Sequence, residues 1–158
     1  MDINYQLKVF EELSLRDLYS ILKLRQEVFI VEQDCVYLDC DDKDMESYHL
    51  MGLSESGELV SYSRILPPGL SYDDAASIGR VLTGKSTRGS GKGHDLMKVS
   101  LMYCQLLFED VAIRISAQCY LIEFYSSLGF ETVGESYLED GIPHIEMVFI
   151  SGEEESDS

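Results

Sequence analysis

The sequence predicts an α/β (α+β) sandwich, one domain in which a mixed sheet is covered by helices. Runs of β-favouring residues alternate with segments whose apolar residues recur near every 3.6 positions, and a glycine-rich segment joins one such run to one such helix. A chain of 158 residues with 45% hydrophobic composition can bury a sizeable core yet stays within the usual size of a single domain. That domain is expected to span residues 1–150. Residues 151–158 carry four carboxylates and no apolar side chain, and read as a disordered acidic tail.

The elements follow in order. Lys8-Val9-Phe10 suits a short strand. Ser14 then precedes Leu15, Leu18, Tyr19, Leu22, Arg25, Gln26 and Phe29, the pattern of a capped amphipathic helix reaching about Val31. From Glu32 to Glu46 the chain turns acidic without an apolar repeat, which predicts a long loop that water solvates. Tyr48 to Leu53 and Leu59 to Leu66 flank the turn residues Ser54-Glu55-Ser56-Gly57-Glu58 and predict a hairpin. Pro67, Pro68 and Gly69 close it, and Ala76 to Thr83 gives a further strand. Beyond the glycines, Leu96, Met97, Ser100, Leu101, Cys104 and Phe108 trace a second helical face. Val111 to Ser116 predicts a buried strand. Leu121, Ile122, Phe124, Tyr125 and Leu128 mark a short helix that Gly129 ends in a left-handed cap. Thr132-Val133 and Ile145 to Ile150 supply the last two strands.

Composition narrows the function classes. Twelve Lys and Arg stand against 29 Asp and Glu, a formal charge of −17 that repels nucleic-acid phosphates and draws cations towards the surface. No nucleic-acid partner is expected. No apolar run approaches the roughly 20 residues of a membrane span, and the first residues lack a basic, then apolar, leader, so a soluble cytoplasmic protein is expected. Cys35, Cys40, Cys104 and Cys119 form no C-x-x-C pair, which points to reduced thiols and no metal site.

The segment Arg88-Gly89-Ser90-Gly91-Lys92-Gly93-His94 stands between a strand and a helix start. A first helical turn leaves backbone N–H groups without partners and carries the positive end of the helix dipole. Glycines let an anion approach those groups closely, and Arg88 and Lys92 add charge. A pyrophosphate suits such a pocket; a flexible loop without a ligand is the bland alternative. The segment lacks the Lys-Ser/Thr ending of a nucleotide P-loop and the early-strand setting of a dinucleotide fingerprint.

With the strand Ile78-Gly79-Arg80-Val81-Leu82-Thr83 before it, Arg88-x-x-Gly91-x-Gly93 resembles the acetyl-CoA loop of the GCN5-related N-acetyltransferases (GNAT). Phe124-Tyr125-Ser126-Ser127-Leu128-Gly129-Phe130 is similar to that superfamily's F-Y-x-x-x-G-F ending. Leu24-Arg25, Val28-Phe29-Ile30-Val31-Glu32-Gln33, Cys35, Tyr37, Asp39, the Asp41 to Asp44 cluster, His49 and Glu139-Asp140-Gly141-Ile142-Pro143-His144 resemble the ElaA group within it. The resemblance implies a mixed, mostly antiparallel central sheet with helices on both faces. It also implies acetyl transfer from acetyl-CoA to a primary amine of a small molecule or peptide, by direct transfer in a ternary complex; separately, an exposed edge strand near the C-terminus could pair two chains as a homodimer. Val81, Leu82 and Thr83 would pair with the pantetheine arm, residues 88–94 would hold the pyrophosphate, and Gln118 and Phe124 would line the cofactor's far side. Thr83 and Lys92 stand where the family often has apolar residues; the bonds come from the backbone, so neither disables the loop.

Transfer to an amine needs a base for the amine, a donor for the oxyanion, for which a main-chain N–H near Leu82 is implied, and a proton for the departing thiolate. Tyr125 is the candidate for that proton, a phenol near pKa 10 against a thiol near 8.5. Glu32, His49, Glu139 and His144 are all open as the base or as a binder of a cationic acceptor. Arg25 could meet an acceptor carboxylate or pair with the acidic loop, and Phe29 belongs to the same acceptor side. A coenzyme A-binding sensor or docking module without turnover is the alternative function, because fold and cofactor loop alone do not establish catalysis.

Overall fold

The computed structural model describes residues 2–149; the predicted acidic tail lies outside the described residues. Seven strands form one open sheet: β1 Asn4–Val9, β2 Tyr48–Leu53, β3 Leu59–Leu66, β4 Ala75–Thr83, β5 Ala112–Gln118, β6 Glu131–Glu139 and β7 Ile142–Phe149, in the order β1-β2-β3-β4-β5-β7-β6. Every neighbouring pair is antiparallel except β4 and β5, which run parallel. Three helices cover the sheet: α1 Leu15–Arg25, α2 Lys92–Leu107 and α3 Ile122–Ser126. This is the mixed, mostly antiparallel α/β arrangement that the sequence predicts.

Side-chain alternation decides which helix covers which face. Tyr62 of β3, Met51 of β2 and Leu82 of β4 pack with Ile21 of α1. The next residue along β3, Ser63, points the other way, and its hydroxyl meets that of Ser100 on α2 at 2.7 Å. On that second face Ile65, Ala76, Ile78, Ile113, Ile115 and Met147 pack with Met97, Leu101 and Cys104 of α2 and with Tyr125 of α3. The sheet therefore carries α1 on one face and α2 and α3 on the other.

Two departures from regularity shape the centre. Tyr62 pairs with Leu82, but Arg64 pairs with Gly79, so two residues of β4, Arg80 and Val81, oppose the single Ser63 of β3. This β-bulge, with Arg80 at φ +48°, bends β4. On its other side β4 pairs with β5 only at Ala75–Ala112 and Ala76–Ile113. Beyond those pairs the two strands separate, and a wedge opens in the middle of the sheet.

Local chemistry sets the helix ends. Ser14 Oγ accepts the Asp17 N–H at 2.9 Å while the Asp17 carboxylate accepts the Ser14 N–H at 3.1 Å, a capping box that fixes the start of α1. The predicted helix to Val31 is corrected: α1 is regular only to Arg25, and Gln26–Glu32 continues in wider π-type turns that rotate Val28, Phe29 and Glu32 towards the wedge. At the end of α3, Gly129 stands at φ +108° while Phe130 N–H reaches Tyr125 O at 3.2 Å. A Cβ there would lie 2.8 Å from the Phe149 ring, so close approach as well as φ requires glycine.

The predicted strand at Lys8–Phe10 is corrected to Asn4–Val9, paired along its length with β2; Phe10 opens a short 3-10 turn instead. The Thr132-Val133 strand is far longer than predicted. Every residue of β6 is exposed at the sheet edge, so no apolar alternation marks it.

Candidate active site

The wedge between β4 and β5 is the mouth of a cleft of about 1080 Å³. Val81, Leu82 and Thr83 line one wall and Gln118 and Tyr125 the other, with Phe29, Glu32, Arg88, Glu139 and His144 around them. Because β5 has moved away, the outer edge of β4 at Val81–Thr83 has no strand partner, which leaves main-chain groups for a guest to pair with.

The glycine-rich loop stands at the entrance to α2. Gly89 and Gly91 adopt φ +84° and +78°, and the first helical bond is Asp95 N–H to Gly91 O at 3.1 Å. The N–H groups of Lys92, Gly93 and His94 are therefore left over at the helix start. A Cβ at Gly89, Gly91 or Gly93 would meet nothing within 4 Å. Open space beside unpaired donors fits a diphosphate. Arg88 is the loop residue that lines the cleft itself; its Nη2 bonds Glu32 Oε1 at 2.6 Å and its Nε donates to Thr83 O at 3.0 Å. Ser90 Oγ donates to Thr87 O, bracing the loop, while His94 turns its edge to Phe124 at 6.3 Å, away from the cleft.

Two of the residues expected on the acceptor side are placed otherwise. Arg25 is fully buried, with Nε on Asp39 Oδ2, Nη1 on Asp44 Oδ1 and Nη2 on Asp39 O, at 2.8, 2.8 and 3.0 Å; it cannot meet a substrate carboxylate. His49 is equally buried, its Nδ1 2.7 Å from Tyr62 Oη and its Nε2 2.8 Å from Asp44 O, and is no base for a substrate. The Glu32 carboxylate lines the cleft but is paired there with Arg88 at 2.6 Å. The loop prediction also changes. Asp39 and Asp44 are buried rather than solvated, and Asp41 is clasped by both ends of the Arg64 guanidinium at 2.8 Å. Arg80, thrown outward by the bulge, binds Asp39 O and Asp41 as well. Three arginines and three aspartates thus fasten residues 39–44 to the sheet.

This network carries a pH signature. Burial pushes the His49 imidazole below its ordinary value near 6.5, although the Asp44 carbonyl pulls the other way. The fold holds the neutral ring, whereas the unfolded chain takes up a proton near pH 6.5. The stability His49 contributes is complete above about that pH and is lost as pH falls towards its lower folded value. Between pH 6.5 and 5, wild-type stability should rise with pH more steeply than that of His49→Gln, by up to about 1.4 kcal/mol per pH unit. Urea midpoints at each pH measure it; parallel slopes would refute the assignment. For Asp41, burial alone would raise the pKa, but the Arg64 hydrogen bonds and charge, with Arg80, outweigh it and hold the carboxyl far below its usual range.

His144 and Tyr125 remain facing the cleft. His144 Nδ1 lies 2.7 Å from Ile142 O, which accepts only a proton-bearing nitrogen, so neutral His144 keeps Nε2 as its bare acceptor. Glu139 stands 4.0 Å from that Nε2, and Ser116 Oγ donates to Glu139 Oε1 at 3.1 Å and also contacts Tyr137 Oη. Tyr125 is 8% exposed, and burial, aided by the nearby Tyr120, pushes its phenol up to about 12. The proton stays on it at neutral pH. Full transfer to a thiolate of ordinary pKa is then uphill, so the phenol acts on a leaving sulfur first as a hydrogen-bond donor.

The family model for the acetyltransferase (GNAT) domain matches residues 23–151. The chain belongs to the GNAT acetyltransferase family. Protein ElaA of Escherichia coli is 44% identical over 140 residues, covering 86% of this chain and 89% of ElaA. A UPF0039 protein of Synechocystis is 41% identical over 149 residues, 94% of this chain and 96% of the relative. Among solved structures, an acyl-CoA N-acyltransferase from Pseudomonas aeruginosa superposes with a TM-score of 0.88 at 39% identity, over 94% of this chain and 99% of that one. The GNAT chain is thereby an acyltransferase of this fold, and the guest its cleft and loop fit is a coenzyme A thioester. No helix among the described residues is long and apolar enough to cross a membrane.

Sequence reasoning passed over the Arg64, Arg80, Asp39 and Asp44 cluster and the Ser116–Tyr137 contact. Arginines inside two apolar strand runs were the available signal for the first, since a charge at a buried position needs a partner.

Proposed function

We propose that this GNAT protein transfers an acetyl group from acetyl-CoA to a primary amine, with both substrates bound at once. The observation that carries the reading is the meeting of His144 and Tyr125 in one cleft whose β4 wall has a free edge. The thioester supplies the acyl group; the chain's residues position it and move protons. The N–H groups at the start of α2, with Lys92 close by, hold the diphosphate, and Val81–Thr83 lay the pantetheine arm along the strand. Nε2 of His144 takes the amine's proton, and Glu139, held by Ser116, stabilises the imidazolium that results. Tyr125 donates to the sulfur.

The test is to incubate the protein with acetyl-CoA and a panel of amines and follow free thiol. Release that depends on the amine supports the proposal; binding without release for every amine class would leave only a cofactor-binding module. His144→Gln should lower kcat about a hundredfold with little change in the KM for acetyl-CoA, and an unchanged kcat would remove the base assignment.

The loop has its own check. Gly93 has room for a side chain, so Gly93→Val should fold normally, yet its methyls would fill the diphosphate space. Acetyl-CoA at 100 times its Kd should stabilise the wild type by about 2.7 kcal/mol and the variant by almost nothing at the same concentration. Equal melting shifts would place the phosphates elsewhere.

A further inference from the structure

Four cationic side chains line the cleft: Lys43, Arg64, Arg80 and Arg88. Arg64 is held by Asp41 and Asp44, Arg80 by Asp39 and Asp41, and Arg88 by Glu32. With Arg25 included, three arginines balance three aspartates and the buried network is neutral. Lys43 is different. Its Nζ donates to the Ser71 hydroxyl at 3.1 Å and has no carboxylate within ion-pair distance among the described residues. Its main-chain N–H is fixed on Asp41 Oδ1 at 3.2 Å, the oxygen that also receives Arg64 Nη1. Arg64, only 3% exposed, keeps its Nε–H without a partner among the described residues. Lys43 is thus the cationic side chain that lines this cleft without a carboxylate partner among the described residues, whereas the unpaired Arg64 Nε is closed off by burial.

The partner hydroxyl also locates Lys43 relative to the proton-moving groups. Tyr72, the residue next to Ser71, lines the same cleft, and burial, followed by Tyr137, Glu146 and Glu139, pushes its phenol up to about 12. Lys43 and Ser71 thus line one and the same cleft as the Glu139–His144 side. There the charge is negative, from Glu139 and Asp140. The cleft presents a cation on one part of its acceptor wall and carboxylates on another.

We propose that the acceptor carries an anionic group, a carboxylate, on the same molecule as its amine, and that Lys43 with Ser71 binds that group. This names the acceptor class for the acyl-transfer reading and rests on it. An amine without an anion would cover Lys43 while leaving its charge uncompensated. A zwitterion satisfies both ends.

The test uses binding, so that it stands apart from turnover. Protein saturated with coenzyme A is titrated calorimetrically with matched pairs that differ only by a carboxylate: phenylalanine and phenethylamine, leucine and isoamylamine, 4-aminobutanoate and propylamine, 6-aminohexanoate and pentylamine. In at least one pair the carboxylate-bearing member should bind at least tenfold more tightly. Lys43→Met should erase that gain and leave the affinity for the plain amine unchanged, and Lys43→Arg should keep most of it. The proposal is overturned if no pair favours the carboxylate, if no acceptor binds, or if Lys43→Met weakens both members equally, as a merely structural lysine would. Selective binding with no thiol release from acetyl-CoA would sink the acyl-transfer reading and leave the anion site standing.

Discussion

Arg25→Ala is expected to lower the stability of the fold by about 3–5 kcal/mol, a large part of what a domain of this size possesses. The magnitude follows from what is left behind. Arg25 is fully buried and satisfies Asp39 at two points and Asp44 at a third. Removing it leaves the buried network one positive charge short, with Asp39 held only by Arg80 and Asp44 only by Arg64, and takes the guanidinium off the Tyr62 ring, 5.9 Å away. Arg25→Lys should recover only a fraction, since a single ammonium cannot reproduce three directed bonds. Arg25→Met combined with Asp39→Asn should be milder than Arg25→Ala, because one buried charge of each sign leaves and Arg64 and Arg80 still face Asp41 and Asp44. Urea unfolding of the variants measures all of this, and a loss below about 0.5 kcal/mol for Arg25→Ala would show that the network contributes little. The same experiment decides between the two roles open to Arg25 in the sequence. A residue that bound substrate would change KM and leave the midpoint where it was.

The order of elements and the position of the glycine-rich loop were legible because each rests on local chemistry. Ser14 with Asp17, the Ser54–Glu58 turn and Gly129 after α3 are short-range signals, and their elements start and stop close to where these residues indicate. The strand–glycine–helix order placed open donors at the start of α2 for the same reason. Long-range pairing was less visible. Glu32 to Glu46 reads as a solvated acidic loop only while Arg25, Arg64 and Arg80 are treated as separate residues; the fold brings them together from α1, β3 and β4. β6 escaped because an exposed edge strand has no buried face to pattern. A signal for its length was present all the same: Asp140 and Gly141, at φ +52° and +78°, make the two-residue turn that puts Glu139 opposite Ile142. That turn also brings Glu139 and His144 into the cleft lining, so the hairpin and the pair proposed to move protons share one determinant.

Tyr125→Phe is expected to reduce kcat by a factor of about 10² to 10⁴ while leaving the melting temperature and the KM for acetyl-CoA nearly unchanged. The separation is possible because the phenol oxygen makes no hydrogen bond within the described residues, whereas the ring does the packing. It stands edge-on to Phe124 at 5.1 Å and to Phe130 at 5.8 Å, and phenylalanine keeps both contacts. A core tyrosine with no further task would tolerate the change in kcat as well as in stability, so unchanged turnover would assign it to packing alone. The pH dependence adds a second readout. Burial and Tyr120 push the phenol up to about 12, so it remains protonated below that value and should impose no alkaline fall in kcat up to about pH 10. A wild-type profile that fell with an apparent pKa near 10, and lost that fall in Tyr125→Phe, would mean that bound substrates return the phenol to water-like surroundings. Either profile with a large loss of kcat keeps Tyr125 as the donor to sulfur; the profile then tells whether it gives up its proton or only shares it.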